Sequence, residues 1–158
     1  MAPRLLGYGS MRALEVPESI ASPAWAAEAP ASADPVLVVD DDAVCCELMA
    51  TALERDGHRV EWTSDPMQAV RLVRVRRYAV VVSDVNMPDV SGVALAAEAK
   101  LAYPGIRTLL VTGVADPRVR AQAAAIGSEL LSKPIRVEEL CAAVRTLVGR
   151  RAKLESTT

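Results

Sequence analysis

Five residues from four well-separated places in the chain are the ones with types and positions suited to chemistry: Asp40, Asp41, Asp84, Thr112 and Lys133. Each comes at the end of a short apolar run. "VLVV" leads into Asp40, Asp41 and Asp42, "VVVS" into Asp84, "TLLV" into Thr112 and Gly113, and "ELL" into Ser132, Lys133 and Pro134. Two unit charges about 4 Å apart near a protein surface repel by about 4 kcal/mol, so gathered carboxylates must keep a proton, splay into water or hold a cation. Three converging carboxylates suit a hard divalent cation such as Mg²⁺, which takes one or two of them, keeps several waters and accepts a phosphate oxygen as a further ligand. An ammonium and a hydroxyl close by are natural partners for the remaining phosphate oxygens.

The pattern around these residues says what would bring them together. From Pro35 on, β-branched runs alternate with amphipathic stretches of about ten to fourteen residues, a common helix length. The spacing predicts strands at Val36–Val39, Arg59–Thr63, Ala79–Ser83, Arg107–Val111 and Glu129–Leu131, and helices starting near Ala43, Pro66, Gly92, Pro117 and Val137. Ser64 or Asp65 before Pro66, and Asp116 before Pro117, are capping residues followed by proline at the first helical position. Gly57 and Gly127 fall where helices should stop. The first, third and fourth strands are apolar throughout, as in parallel sheets covered on both faces. Five β–α units in succession predict an α/β fold, a doubly wound parallel sheet with right-handed crossovers. In such a sheet the binding crevice lies beyond the carboxyl ends of the strands, where the five residues fall.

The composition narrows the function classes. With 158 residues, 51% hydrophobic and 24% charged, the chain reads as one globular domain with a full core. A net charge of −2 gives no reason to expect a nucleic-acid or membrane surface, and the absence of Phe removes the stacking platform of a single-strand binder. Cys45, Cys46 and Cys141 form no C-x-x-C pair and there is one His, so a structural zinc site is not expected. The cysteines read as small core residues of a reducing compartment, and a cytoplasmic location is expected. Residues 1–34, rich in Ala, Pro and Ser, read as a flexible extension in which Ile20 and Trp25 are the exceptions, Trp25 reading as a loosely packed side chain more readily than as a docking anchor; 35–150 read as the domain and 151–158 as a tail.

"VLVVDDD", "VVVSDVNMPDVSG", "LLVTG" and "LLSKPI", in this order and spacing, resemble the receiver domain of two-component response regulators, over about Pro35 to Arg150. The resemblance implies a flavodoxin-like sheet of strand order 2-1-3-4-5 with helices on both faces. It makes Asp84 the phosphoacceptor, receiving its group from a sensor histidine kinase, a phosphotransfer protein or a small donor such as acetyl phosphate. Asp40, Asp41 and Asp84, with the backbone carbonyl of Asn86, would hold Mg²⁺. Lys133 would pair with the carboxylate and then the phosphoryl group, Thr112 would hydrogen-bond that group, and a cis peptide would precede Pro134. The function implied is that of a switch, with no enzymatic turnover beyond its own phosphorylation and dephosphorylation. Its readout would be a protein partner, a second copy of the chain or the N-terminal extension, met through the helix starting near Pro117, the fifth strand and the last helix. Leu130 stands where the family usually has an aromatic, which implies readout by packing without a switching ring.

Other residues have structural readings. Asp42 suits a cap for the first helix, Asp89 and Ser91 a turn and the cap of the third, and His58 a surface connection. "RLVRVRRY" reads as a solvated helix face. A receiver that binds a partner without any phosphoryl cycle is the alternative of another class. A haloacid-dehalogenase-like phosphatase also fits "VVDDDAV", with Asp40 as nucleophile and Asp42 as acid. It leaves Asp84 without a role and lacks an acidic pair after a later strand.

Overall fold

The computed structural model describes residues 34–114 and 116–157, with the side chains of 151–156 left aside. In chain order the elements are β1 (Val36–Val39), α1 (Ala43–Arg55), β2 (Val60–Thr63), α2 (Pro66–Val75), β3 (Val80–Asp84), α3 (Gly92–Ala102), β4 (Arg107–Thr112), α4 (Pro117–Ala125), β5 (Glu129–Ser132) and α5 (Val137–Ser156). The five strands form one sheet of order β2-β1-β3-β4-β5, and every neighbouring pair is parallel. This is the doubly wound α/β fold expected from the alternation of apolar runs and amphipathic stretches.

Why β1, β3 and β4 are largely apolar is visible in how the pleat divides them. Val36 and Val38 of β1 face one layer, with Val80, Val82, Leu109 and Val111 beside them, against Cys46, Met49 and Leu53 of α1 and Leu140, Val144 and Leu147 of α5. Leu37 and Val39 face the other layer with Val81, against Ala69, Val70 and Val73 of α2 and Leu95 and Ala99 of α3. Side chains two apart on a strand share a face, so a strand covered on both sides has no position to spend on a polar residue. A smaller cluster of Val85, Ala96, Leu110 and Ala123, with half-buried Leu130 against it, seats α4.

The helix boundaries follow local chemistry. Asp42, Asp65 and Asp116 each accept a main-chain N–H of the following turn at 2.9 Å, and Ser91 does so at 3.1 Å. Pro66 and Pro117 start their helices. Gly57 and Gly127, at φ 96° and 66°, turn the chain out of α1 and α4 through a left-handed conformation that glycine adopts without strain.

Three expectations are modified. The third, fourth and fifth strands each run one residue further, so Asp84, Thr112 and Ser132 are the last rungs of the ladder and not the residues after it. The last helix continues through the segment read as a tail to Ser156. His58 is largely enclosed, its side chain 15% exposed and its Nε2 3.5 Å from Asp56 Oδ2. Apart from Asp34, the extension with Ile20 and Trp25 lies outside the described residues. Among the described residues no helix is long and apolar enough to cross a membrane.

Candidate functional site

β1 and β3 are adjacent and in register, Val39 opposite Ser83, so the residues that leave their carboxyl ends must lie side by side. Asp40 follows β1 and Asp84 ends β3, and both are enclosed, at 1% and 6% exposure, whereas Asp41 faces water. One carboxylate oxygen from each of Asp40, Asp41 and Asp84 falls within 4.8 Å of the others. Lys133 arrives from the end of β5. Its Nζ lies 3.4 Å from Asp40 Oδ2 and 3.5 Å from Asp84 Oδ1, so one ammonium bridges the two buried carboxylates. The peptide between Lys133 and Pro134 is cis.

The main chain under these groups is held from several sides. Asp42 N–H donates to Asp40 Oδ1 at 2.9 Å, which leaves Oδ2 for the lysine. Val85 N–H donates to Val111 O and Lys133 N–H to Thr112 O, both at 2.8 Å, tying the loops after β3 and β5 to β4. Ser83 Oγ donates to the Asp84 carbonyl at 3.0 Å. Thr112 is fully buried, and its hydroxyl is engaged within its own loop, donating to Val114 O at 3.0 Å and accepting Val114 N–H at 3.1 Å. Asn86 is exposed two residues past Asp84.

Electrostatically the hollow is under tension. Burial pushes the Asp40 carboxyl above its ordinary value, and the Asp42 N–H and Lys133 ammonium oppose that only in part. Burial does the same to Asp84, again opposed by Lys133 and reinforced by the charge of Asp40. Burial disfavours the charge on Lys133, but Asp40 and Asp84 together outweigh it and raise its pKa. The site therefore carries more carboxylate than its one lysine neutralises. Its donor set is all oxygen and partly desolvated, which fits a hard divalent cation.

Two residues that position the site have roles the sequence reading did not assign. A Cβ on Gly92 would stand 2.2 Å from the Asp84 carbonyl oxygen and 2.9 Å from its carbon, so only glycine lets α3 begin against that peptide. Its N–H donates to Val85 O at 2.9 Å and draws the loop between β3 and α3 down onto the strand end. Asp89 turns that loop with φ 66°. Cys46 Sγ donates to the Asp40 carbonyl at 3.1 Å and approaches Thr63 O at 3.4 Å, clamping the backbone beneath the acidic pair. Burial pushes its thiol up to about 12, so it acts as a neutral donor. A glycine at a helix start and a buried cysteine carry no local sign of these contacts; only the fold shows them.

The constellation can be set against known proteins. The model of the family described as "Response regulator receiver domain" matches residues 36–145. The chain is 33% identical over 117 residues to the "Probable transcriptional regulatory protein TcrX" of Mycobacterium tuberculosis, a match covering 73% of this chain and 50% of that protein. It thus spans about half the length of that relative. Among solved structures, a receiver domain protein (CheY-like) from Methanospirillum hungatei superposes with a TM-score of 0.73 at 23% identity, covering 77% of this chain and 98% of that one; at that identity it speaks for the fold. A response regulator of Burkholderia pseudomallei, described with a phosphorylated aspartic acid, a calcium ion and citrate, is 29% identical with a TM-score of 0.66, covering 78% of this chain and 74% of that one. With the family model spanning most of the chain, and the sheet order in agreement with it, this chain belongs to the response regulator receiver domain family.

Proposed function

We propose that the chain is a phosphoacceptor switch in which Asp84 takes a phosphoryl group from a sensor histidine kinase or a phosphotransfer protein, in a reaction that requires Mg²⁺. The observation that carries this reading is the bridging of Asp84 and Asp40 by Lys133, with Asp41 completing the acidic group.

An Asp84 oxygen forms the new bond to phosphorus while the bond to the donor nitrogen, or to the acyl oxygen of a small donor, breaks and its electron pair leaves with the donor. A carboxylate needs no base for this; what it needs is counter-charge for the phosphoryl oxygens. Asp40, Asp41, Asp84 and the Asn86 carbonyl would hold the metal, which supplies that charge when bound. Lys133, already 3.5 Å from Asp84, moves its interaction from the carboxylate to the transferred group. Thr112 exchanges its bonds to Val114 for one to a phosphoryl oxygen, and that exchange reshapes the loop leading to α4. The surface that reports the change is α4, β5 and α5. β5 is an edge strand, and among the described side chains of α4 only Ala123 is buried, so the face stands open to a protein partner or a second copy. A switch of this kind works by biasing two conformers, and its partner must prefer one of them.

Incubation with acetyl phosphate and Mg²⁺, followed by intact mass, tests the reading. The expected result is one added phosphoryl group, absent in Asp84→Asn and absent with EDTA. Half-buried Leu130, in place of a switching aromatic, favours a second reading as a constitutive binding module. No adduct with acetyl phosphate, carbamoyl phosphate or a phosphorylated histidine donor would favour that reading instead.

A further inference from the structure

The three acids of the hollow are not fastened equally. Asp40 is held at both oxygens, by Asp42 N–H on Oδ1 at 2.9 Å and by Lys133 on Oδ2 at 3.4 Å. Asp84 has Lys133 at 3.5 Å and is itself a rung of the β3 ladder. Asp41 faces water, and no side-chain hydrogen bond or ion pair among the described residues holds it. Its carboxylate can be aimed only by the main chain that it leaves. That main chain is the peptide between Asp40 and Asp41. A peptide is planar, so holding its carbonyl restricts ψ of Asp40 and φ of Asp41 together.

We infer that Cys46 is the positioning residue of this acidic pair: its thiol holds the Asp40–Asp41 peptide so that both carboxylates point to where a divalent cation would sit. The inference rests on the metal requirement of the phosphoacceptor reading and adds to it a residue that touches neither metal nor phosphate. The thiol donates to the Asp40 carbonyl at 3.1 Å and has Thr63 O at 3.4 Å, so it spans the carboxyl ends of β1 and β2. Both sides of that span are rigid. Cys46 N–H closes the first turn of α1 on Asp42 O at 3.1 Å, and Asp42 caps the same helix. Thr63 is fixed through its hydroxyl, which donates to Gln68 and accepts Asp65 N–H at 3.1 Å. Cys46 is fully buried, and burial pushes its thiol up to about 12, so the proton stays on and no further negative charge forms beside the carboxylates. The neighbouring thiol cannot stand in, because Cys45 is half-exposed and turned to Asp42 Oδ2 at 3.6 Å.

Without the thiol, the Asp40 carbonyl loses this donor, and a buried carbonyl so deprived turns toward another. That turn swings the bond on which the Asp41 carboxylate is carried. A shift of about 1 Å in one oxygen of the set is enough to weaken a cation that demands near-octahedral geometry.

Mn²⁺, a paramagnetic stand-in for Mg²⁺, is titrated into the full-length parent, Cys46→Ala, Cys46→Ser and Val144→Ala, with the free ion read by electron paramagnetic resonance. Val144 is fully buried in the core between the sheet and α5, and its truncation serves as the control for lost stability, read in urea. The expected result is Mn²⁺ binding about tenfold weaker in Cys46→Ala, within about twofold of the parent in Cys46→Ser, which keeps a donor, and unchanged in Val144→Ala. In the metal-free protein the Asp42 amide, bonded to Asp40 Oδ1, should exchange with solvent faster in Cys46→Ala than in the parent. Parent-like affinity in Cys46→Ala would overturn the inference, as would a loss in Cys46→Ser or Val144→Ala as large as in Cys46→Ala. A parent that binds no Mn²⁺ is a separate outcome: it would refute the metal requirement itself, and the inference with it.

Discussion

Replacing Asp84 by Asn should make the metal-free protein more stable, against the usual outcome for a buried polar position. The Asp84 carboxylate shares 4.8 Å with those of Asp40 and Asp41. At an effective dielectric near 20, repulsion at that distance is about 3.5 kcal/mol for the buried Asp40, and much less for Asp41, whose charge water screens. Lys133 at 3.5 Å returns about 4 to 5 kcal/mol, discounted because a third of its side chain is in solvent. These terms nearly cancel and leave the cost of burying the ionised carboxyl, which is why its pKa lies above the ordinary value. Asn occupies the same volume without the charge, so a gain of about 1 to 2 kcal/mol is expected at pH 7 in EDTA. For a domain of this size that is roughly 4–10 °C in Tm. The sign with pH follows from the raised pKa. The folded state holds the Asp84 proton more tightly than the unfolded state, so parent stability falls as pH rises from the unfolded value near 3.8 through the higher folded value. The advantage of Asn is therefore absent below about pH 3.8, grows through that window and is complete above it. Urea unfolding of both proteins at pH 3.5, 5 and 7 measures it. A lower stability of Asp84→Asn at pH 7, or a difference that does not change with pH, would refute the reasoning.

Gly92→Ala must push its new methyl away from the Asp84 carbonyl; a loss of about 1 to 3 kcal/mol in urea and roughly tenfold slower phosphoryl uptake from acetyl phosphate are expected. On the far side of β1, buried Glu61 accepts the Tyr78 hydroxyl at 2.7 Å and pairs with Arg76 at 2.7 Å. Glu61→Ala should cost about 2 to 3 kcal/mol by removing the carboxylate that accepts from the phenol and pairs with Arg76, Tyr78→Phe only about 1 kcal/mol, and the double variant less than their sum, as a double-mutant cycle in urea would show. Val114 is 63% exposed beside Thr112 and offers no group to orient water. Val114→Glu should shorten the lifetime of the acyl phosphate severalfold, measured by intact mass after donor removal; equal lifetimes would exclude a role for this position.

The strands were legible because a sheet covered on both faces admits only apolar runs, and the helix starts because Asp42, Asp65, Ser91 and Asp116 declare themselves as caps next to Pro66, Gly92 and Pro117. Asp40, Asp41, Asp84 and Lys133 could be picked out because the topology sends successive strand ends to one edge. What stayed hidden depends on distances that no local pattern encodes. Gly92 reads as an ordinary helix start until the Asp84 carbonyl is found against it. Cys46 reads as a small hydrophobe until its thiol meets a carbonyl from β1's end. Arg76 reads as part of a solvated helix face, yet with Tyr78 it pairs with Glu61 and the carboxylate is buried. The strand ends were read one residue short because the polar residues Asp84, Thr112 and Ser132 still belong to the hydrogen-bonded ladder.

The ammonium that bridges the acidic pair comes from a residue 93 positions after Asp40. During synthesis, β1 and β3 can bring their carboxylates together long before β5 leaves the ribosome, and in that interval the like charges face each other with no internal cation. Closing so distant a contact is entropically slow. On the phosphoacceptor reading proposed above, competence would be withheld from any chain not completed through its last strand, and a product truncated before Lys133 would hold the acids without the ammonium that bridges them.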